Sequence, residues 1–193
     1  MLVALLSFSA MAMASPEIGR PAPGFTTDDT MGQSFSLSDF NGKTVVLEWT
    51  NPDCPFVHKH YDTGNMQALQ KEAIADGVIW IAIDSSAKGK EGHYQASDLN
   101  TIYADRGASY THLVIDDLGK IGKLYGAKTT PHMFVIDANG HLAYSGALDD
   151  QPTADKGNIG SAKNYVRQAL TNLKAGQPVT TPSTNPYGCS VKY

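Results

Sequence analysis

The chain of 193 residues holds two cysteines, and their settings differ. Cys54 stands in Trp49–Tyr61, WTNPDCPFVHKHY, where an apolar run gives way to a helical pattern; Cys189 stands in PYGCSVKY close to the C-terminus. A thiolate attacks disulfides and peroxides, so reactivity requires a thiol pKa below its ordinary value of about 8.5. If Cys54 opens a helix, the unpaired N–H groups of the first turn and the positive end of the helix dipole favour the thiolate. Pro55 suits the first helical position, where its missing N–H is no loss. His58 lies four residues on, one turn down the same face. A protonated imidazole there adds to the effect, while the carboxylate of Asp53 opposes it. A buried structural thiol is the plain alternative for any cysteine.

Reach does not separate the two thiols. From Ala175 to Cys189 the tail extends up to about 46 Å at ~3.3 Å per residue, against a radius of gyration of about 16 Å for a domain of this length. Pro186 and Gly188 allow turning, and Tyr187, Val191 and Tyr193 offer rings and a branched side chain for docking on an apolar groove. Three roles stay open for Cys189: resolving an intermediate formed at Cys54, pinning the tail in a permanent bridge, or acting as an independent thiol.

Other chemistries find less support. His58 and His60, with Cys54, His132 and Asp53, suggest a metal, yet side chains two apart on a helix point about 200° apart and do not face one ion. No metal and no cofactor is expected. Trp49 and Phe56 are expected to shield the cysteine and pack the core, Tyr61 to serve as a core or groove residue, Asn51 to flank the cysteine and His132 to line its face. The acidic pairs Asp28-Asp29, Asp116-Asp117 and Asp149-Asp150 read as solvated turn residues. The sequence has neither a phosphate-binding glycine loop nor a defensible Ser/His/Asp order.

The elements that position Cys54 follow from periodicity. After an irregular Pro/Gly/Thr-rich lead-in, FSLSDFNGK predicts a short strand and turn, and TVVLEWT a buried strand. A helix is predicted from Cys54 to about Ala75, closed by Asp76-Gly77. VIWIAIDSS and THLVIDD read as further strands, with a helix near Ser97–Arg106 between them and a short one in LGKIGKLYG. HMFVIDANGHLAYSG reads as a hairpin turning at Ala-Asn-Gly. GSAKNYVRQALTNLKAG makes a last amphipathic helix with Ala162, Tyr165, Val166, Ala169, Leu170 and Leu173 on one side. Alternating strands and helices closed by a hairpin predict an α/β/α sandwich on a mixed sheet. The expected division is a signal peptide over residues 1–14, one domain over 15–175 and a tail over 176–193.

Composition bounds the setting: 41% hydrophobic, 18% charged, net charge −4. A mild acidic excess gives no basic footprint for nucleic acid. After the N-terminus no apolar run approaches the ~20 residues that span a bilayer, so an integral membrane protein is not expected. The first residues, MLVALLSFSAMAMASPE, form an uncharged apolar run with Ala12-Met13-Ala14 in the A-x-A cleavage pattern. Export to a periplasmic or extracellular setting is expected, where disulfides persist.

Order and motifs together resemble the thioredoxin superfamily, in its subgroup of exported thioredoxin-like proteins and peroxiredoxin relatives. FSLSDFNGKTVVLEW resembles the segment leading into that active site, Cys54 takes the nucleophile position, and KTTPHMFVIDANGHLAYSG resembles the region where a cis-proline, here Pro131, faces the cysteine. The resemblance implies a thioredoxin-like fold and a thiol oxidoreductase. It also implies that the backbone of Thr130 pairs with an extended partner chain. Departures from the pattern are specific. Val57 stands where a Cys-x-x-Cys site has its second cysteine, and Asn51 and Leu47 stand where peroxiredoxins carry Thr or Ser and Pro. None of Arg20, Arg106 and Arg167 falls at the peroxide-holding place. Thiol–disulfide exchange with protein or small-molecule partners ranks first and peroxide reduction second, either one needing a separate electron donor. A non-catalytic peptide- or metal-binding module is the alternative of another class.

Overall fold

The computed structural model describes residues 16–193; the signal-peptide reading of residues 1–14 lies outside them. Strands β1 (Thr26–Asp28) and β2 (Ser34–Ser36) form a small antiparallel hairpin; β1 lies in the stretch read as an irregular lead-in, and β2 falls where FSLSDFNGK predicts a short strand. The central sheet uses β3 (Val45–Trp49), β4 (Ile79–Asp84), β5 (His112–Ile115), β7 (His132–Ile136) and β8 (Leu142–Gly146), in the order β5-β4-β3-β7-β8. The β3–β4 and β4–β5 pairs are parallel, and β3–β7 and β7–β8 antiparallel, as expected for a mixed sheet closed by a hairpin. Between β5 and β7 runs β6 (Thr129–Thr130), which pairs outside the sheet with β9 (Cys189–Ser190) in the tail.

Strand alternation divides the core in two. Val46, Trp80, Ala82, Leu113, Met133 and Val135 point to one face. There they meet Val57 and Tyr61 of α1 (Pro55–Asp62), Met66, Leu69 and Ala73 of α2 (Asn65–Ala75), Leu99 and Tyr103 of α3 (Ala96–Asp105), and Val166 and Ala169 of α5 (Tyr165–Lys174). Val45, Leu47, Trp49, Ile81, Ile83 and Phe134 point the other way, to Ile121 and Tyr125 of α4 (Lys120–Tyr125) and to Phe35 and Leu37. The result is the expected three-layer sandwich.

The single helix expected from Cys54 to Ala75 is two. Thr63 ends α1 and Gly64, at φ +74°, turns the chain into α2 through left-handed backbone that glycine adopts without a Cβ clash. The apolar spacing runs on across this break, which is why periodicity alone joins the halves. At the other end Gly77 closes α2 at φ +82°, as its position predicts. The last helix begins at Tyr165, capped by Asn164, whose side chain accepts from the Arg167 N–H. Ala162 lies before it, at the end of a short 3-10 turn (Lys156–Ser161).

Candidate active site

Cys54 sits where β3 gives way to α1. It is the N-cap of α1, in extended backbone, with its carbonyl accepting from the N–H groups of Val57 and His58 and with Pro55 at the first helical position. The loop before it is held at every residue. Thr50 donates its N–H to the Ile83 carbonyl and shares a 2.6 Å hydrogen bond with the Tyr103 hydroxyl. The Asn51 amide donates to Ser86 Oγ and the Glu91 carbonyl and accepts from the Asp53 N–H. Arg106 donates to the Pro52 carbonyl at 2.8 Å. Asp53 accepts from the Gly92 N–H and the Tyr94 hydroxyl, so its carboxylate is turned into the loop rather than onto the thiol.

The thiol itself is fully buried. Its Sγ–H donates to the Thr130 carbonyl at 3.0 Å, and the Thr130-Pro131 peptide is cis, as the position of Pro131 opposite the cysteine leads one to expect. The tail completes the enclosure. Thr130 and Cys189 are direct partners in the β6–β9 ladder, which sets the Cys189 thiol beside the Cys54 thiol. Both cysteines are free thiols. Burial first, then the neighbouring Cys54, pushes the Cys189 thiol up to about 12.

Several expected neighbours point elsewhere. His58 is paired with Asp62 (3.4 Å) and faces Arg106, not Cys54, because four residues along α1 lead away from the N-cap. Trp49 and His132 are opposite one another in the β3–β7 register and turn to the face away from α1. Trp49 bonds Ser85 and packs on Tyr125 and Phe134; His132 accepts from the Lys128 N–H and lies on Phe134. Burial and the charge of Lys128 depress His132 to about 3, so it is neutral. Phe56 meets the tail edge-on at Tyr187. His60 points toward Asp149, and no gathering of three His, Cys, Asp or Glu side chains fit for a metal occurs among the described residues.

Each acidic pair read as solvated has one member turned inward. Asp29 accepts from His112 at 2.8 Å, and Asp116 accepts from Ser85 and from the N–H groups of Ile121 and Gly122. Asp149 holds Lys59, which is wholly buried and also donates to the Gln151 carbonyl at 2.7 Å and to the Tyr187 hydroxyl. Tyr187 in turn donates to Asp149. This Lys59–Asp149–Tyr187 cluster anchors the tail two residues before Cys189. Sequence reasoning passed over it because its members lie in three separate segments, each ordinary by itself. Glu48 is different, since a carboxylate inside the apolar run VVLEW was a visible signal. It lies under α1, accepting from Tyr61, Gln70 and Trp80, and burial raises its pKa.

A thioredoxin-like sandwich that presents a cysteine at a helix N-terminus beside a cis-proline is the frame of a thiol oxidoreductase. The chain belongs to the Redoxin family, whose pattern matches residues 17–163. Thiol-disulfide oxidoreductase ResA of Bacillus thuringiensis is 31% identical over 128 residues, spanning 65% of this chain and 67% of that protein. Chloroplastic peroxiredoxin Q of Suaeda salsa is 28% identical over 153 residues, spanning 78% and 70%. Among solved structures, an uncharacterized conserved protein of Geobacillus kaustophilus matches with a TM-score of 0.78 at 23% identity, covering 92% of each chain. A putative thiol:disulfide interchange protein DsbE of Chlorobium tepidum matches with 0.56 at 27%, covering 68% and 85%. The protein is an oxidoreductase, and the non-catalytic alternative gives way to that membership. Cys189 lies beyond the residues that the family pattern matches.

Proposed function

We propose that the chain carries out thiol–disulfide exchange, with Cys54 as nucleophile and Cys189 as resolving cysteine. The Cys54 thiolate attacks one sulfur of a partner disulfide, forming a mixed disulfide and releasing the other partner sulfur as a thiolate that takes up a proton. Cys189, as thiolate, then attacks the Cys54 sulfur. The partner leaves as a dithiol and the protein is left with a Cys54–Cys189 disulfide. Two electrons pass to the partner, and a second dithiol restores them.

The observation that carries this reading is the convergence of the two cysteines on Thr130, whose carbonyl accepts from the Cys54 thiol and whose ladder partner is Cys189. It also orders the steps. Burial is the first cause that holds Cys189 protonated and the adjacent Cys54 the second; the influence of Cys54 vanishes once it is in a disulfide, while Lys192 continues to favour the thiolate. The resolving thiol is thus eased toward its thiolate when it is needed. Peroxide reduction fits less well, because the Asn51 side chain is engaged with Ser86, Glu91 and Asp53 and leaves no donor over the thiol. The Ala12-Met13-Ala14 pattern supports an exported setting, periplasmic or extracellular, and partners there are protein or small-molecule disulfides.

Mass spectrometry after incubation in a glutathione redox buffer tests the roles. The intact chain is expected to give the Cys54–Cys189 disulfide. Cys189→Ser is expected to accumulate glutathione on Cys54, at least tenfold above the intact chain, and Cys54→Ser to leave Cys189 unmodified. Glutathione on Cys189 in the Cys54→Ser variant at the intact protein's rate would reverse the assignment.

A further inference from the structure

The C-terminal tail is tied to the domain on both sides of Cys189. Before it, the Ser145 N–H donates to the Pro182 carbonyl, and Thr184 donates its N–H back to the Ser145 carbonyl. The Thr184 hydroxyl oxygen accepts from the Ala147 N–H at 2.9 Å, and Tyr187 sits in the Lys59–Asp149 cluster. After it, the Val191 N–H reaches the Lys128 carbonyl at 3.1 Å, and the Lys192 carbonyl accepts from the Ala87 N–H at 2.8 Å. Lys192 also pairs with Glu91 at 3.5 Å. Tyr193 ends the chain with its hydroxyl on the Ala127 carbonyl and its ring over Gly119 and Gly122, where any Cβ would strike it. A single tie that opens is quickly remade, because its neighbours keep the two groups at high effective concentration.

Between these ties the tail fills the place beside Pro131. Cys189 is opposite Thr130 and Ser190 opposite Thr129, and Gly188 lies so close to the Thr130 carbonyl that a Cβ there would collide with it. The edge that an extended partner would use already has its strand. Under this cover Cys54 has no exposed surface, while Cys189 is half-buried. A polypeptide reaches Cys54 only when the backbone of the tail is lifted, against all its ties together. A small molecule needs no more than side-chain movement at the half-buried Phe56 and Cys189, which is fast and local.

We propose that the tail is the fixed occupant of this edge, and that Cys54 exchanges with low-molecular-weight disulfides and not with disulfides carried in an extended polypeptide. The Cys54 thiolate attacks one sulfur of a small disulfide RSSR and releases RS−, which takes up a proton. The Cys189 thiolate then attacks the Cys54 sulfur and releases the second RS−, protonated in the same way. Two electrons leave the cysteine pair, and the products are two RSH and the Cys54–Cys189 disulfide. Cys189 serves twice, as resolving thiol and as part of the strand that sets the size limit. The inference rests on the exchange reading and narrows its partners to one class.

Two probes with the same reacting group test this: bis(2-hydroxyethyl) disulfide, and a nine-residue peptide whose central cysteine is capped with 2-mercaptoethanol. Each is mixed with the reduced full chain, and formation of the Cys54–Cys189 disulfide is followed by acid quench and mass spectrometry. Rates are divided by those of dithiothreitol with the same probe. The small disulfide is expected to react at least tenfold faster than the peptide, and a smaller ratio would overturn the proposal. A chain ending at Ser190 keeps both cysteines and loses the ties of Val191, Lys192 and Tyr193. It is expected to narrow the ratio at least threefold, and a ratio untouched by the shortening would mean that the tail does not set the limit. Hydrogen exchange on the intact protein needs no variant. The Val191 and Ala87 amides are expected to be protected at least a hundredfold, and free exchange at both would show a loose tail and overturn the proposal. Similar rates with both probes reject this inference alone. Reaction with neither probe rejects the exchange reading, and this inference with it.

Discussion

At the scale of single residues, the site region is shaped by groups whose ionisation the fold has displaced. Asp84 ends β4 beside the loop that presents Cys54. It accepts from the Ser86 N–H through one oxygen, while the other is buried without a partner. Burial, reinforced by the charges of Asp53 and Asp116, raises its pKa to about 7 from an ordinary 3.8. The unfolded chain releases this proton near 3.8 and the folded chain holds it to about 7, so stability falls as pH rises between those values and the loss is complete above them. Asp84→Asn never ionises. Its stability relative to the intact chain is expected to improve from pH 4 to pH 7 by an amount on the order of a few kcal/mol, then level off. Urea unfolding midpoints at pH 4, 5.5 and 8 measure this. A difference that stays flat with pH would mean that the folded protein does not hold the proton.

At the scale of elements, what was legible in the sequence was what neighbours in the chain decide. A β-branched run followed by Cys54-Pro55 and a helical pattern specifies strand, N-cap and helix within a dozen positions, and the structure has them. The carboxylate of Glu48 inside that run was a visible signal of a buried polar group, yet reading the run only as a buried strand passes over it. Gly64 carried a signal too, but the apolar stripe continues past it and the period alone does not see the turn. The tail anchor was not legible, because Lys59 is buried only through Asp149 and Tyr187, and nothing local distinguishes it from a surface lysine of α1. That cluster can be tested as a unit. Removing one partner of a buried pair leaves the other charge unsatisfied, so Lys59→Met is expected to cost roughly 3–5 kcal/mol. Tyr187→Phe should cost about 1 kcal/mol. In a double-mutant cycle on urea stability the two are expected to be coupled by at least about 0.5 kcal/mol, the lower end for residues sharing one network. Additive effects would mean that the lysine does not hold the tail.

At the scale of the whole molecule, the tail converts a local thiol contact into a constraint on the entire domain. A Cys54–Cys189 bond closes a loop containing most of the fold, and on the chain-entropy account such closure removes close to 5 kcal/mol of unfolded-state freedom. The dithiol protein already holds Cys189 against Cys54 through the β6–β9 ladder, so bond formation asks for little rearrangement. The oxidised protein is therefore expected to melt about 10 °C or more above the reduced one. The same free energy must appear in the redox couple. At about 1.4 kcal/mol per 30 mV, the folded pair should be roughly 100 mV more reducing than the same two cysteines in the unfolded chain. Scanning calorimetry of both forms, with redox titrations in and out of denaturant, checks the two numbers against each other. Coincident melting would mean that the tail leaves its strand when the bond forms. A stabilised disulfide gives the chemistry a direction, because a pair that gains by oxidation gives up its electrons readily. The chain should therefore act as a reductant of partner disulfides and a poor oxidant of partner thiols.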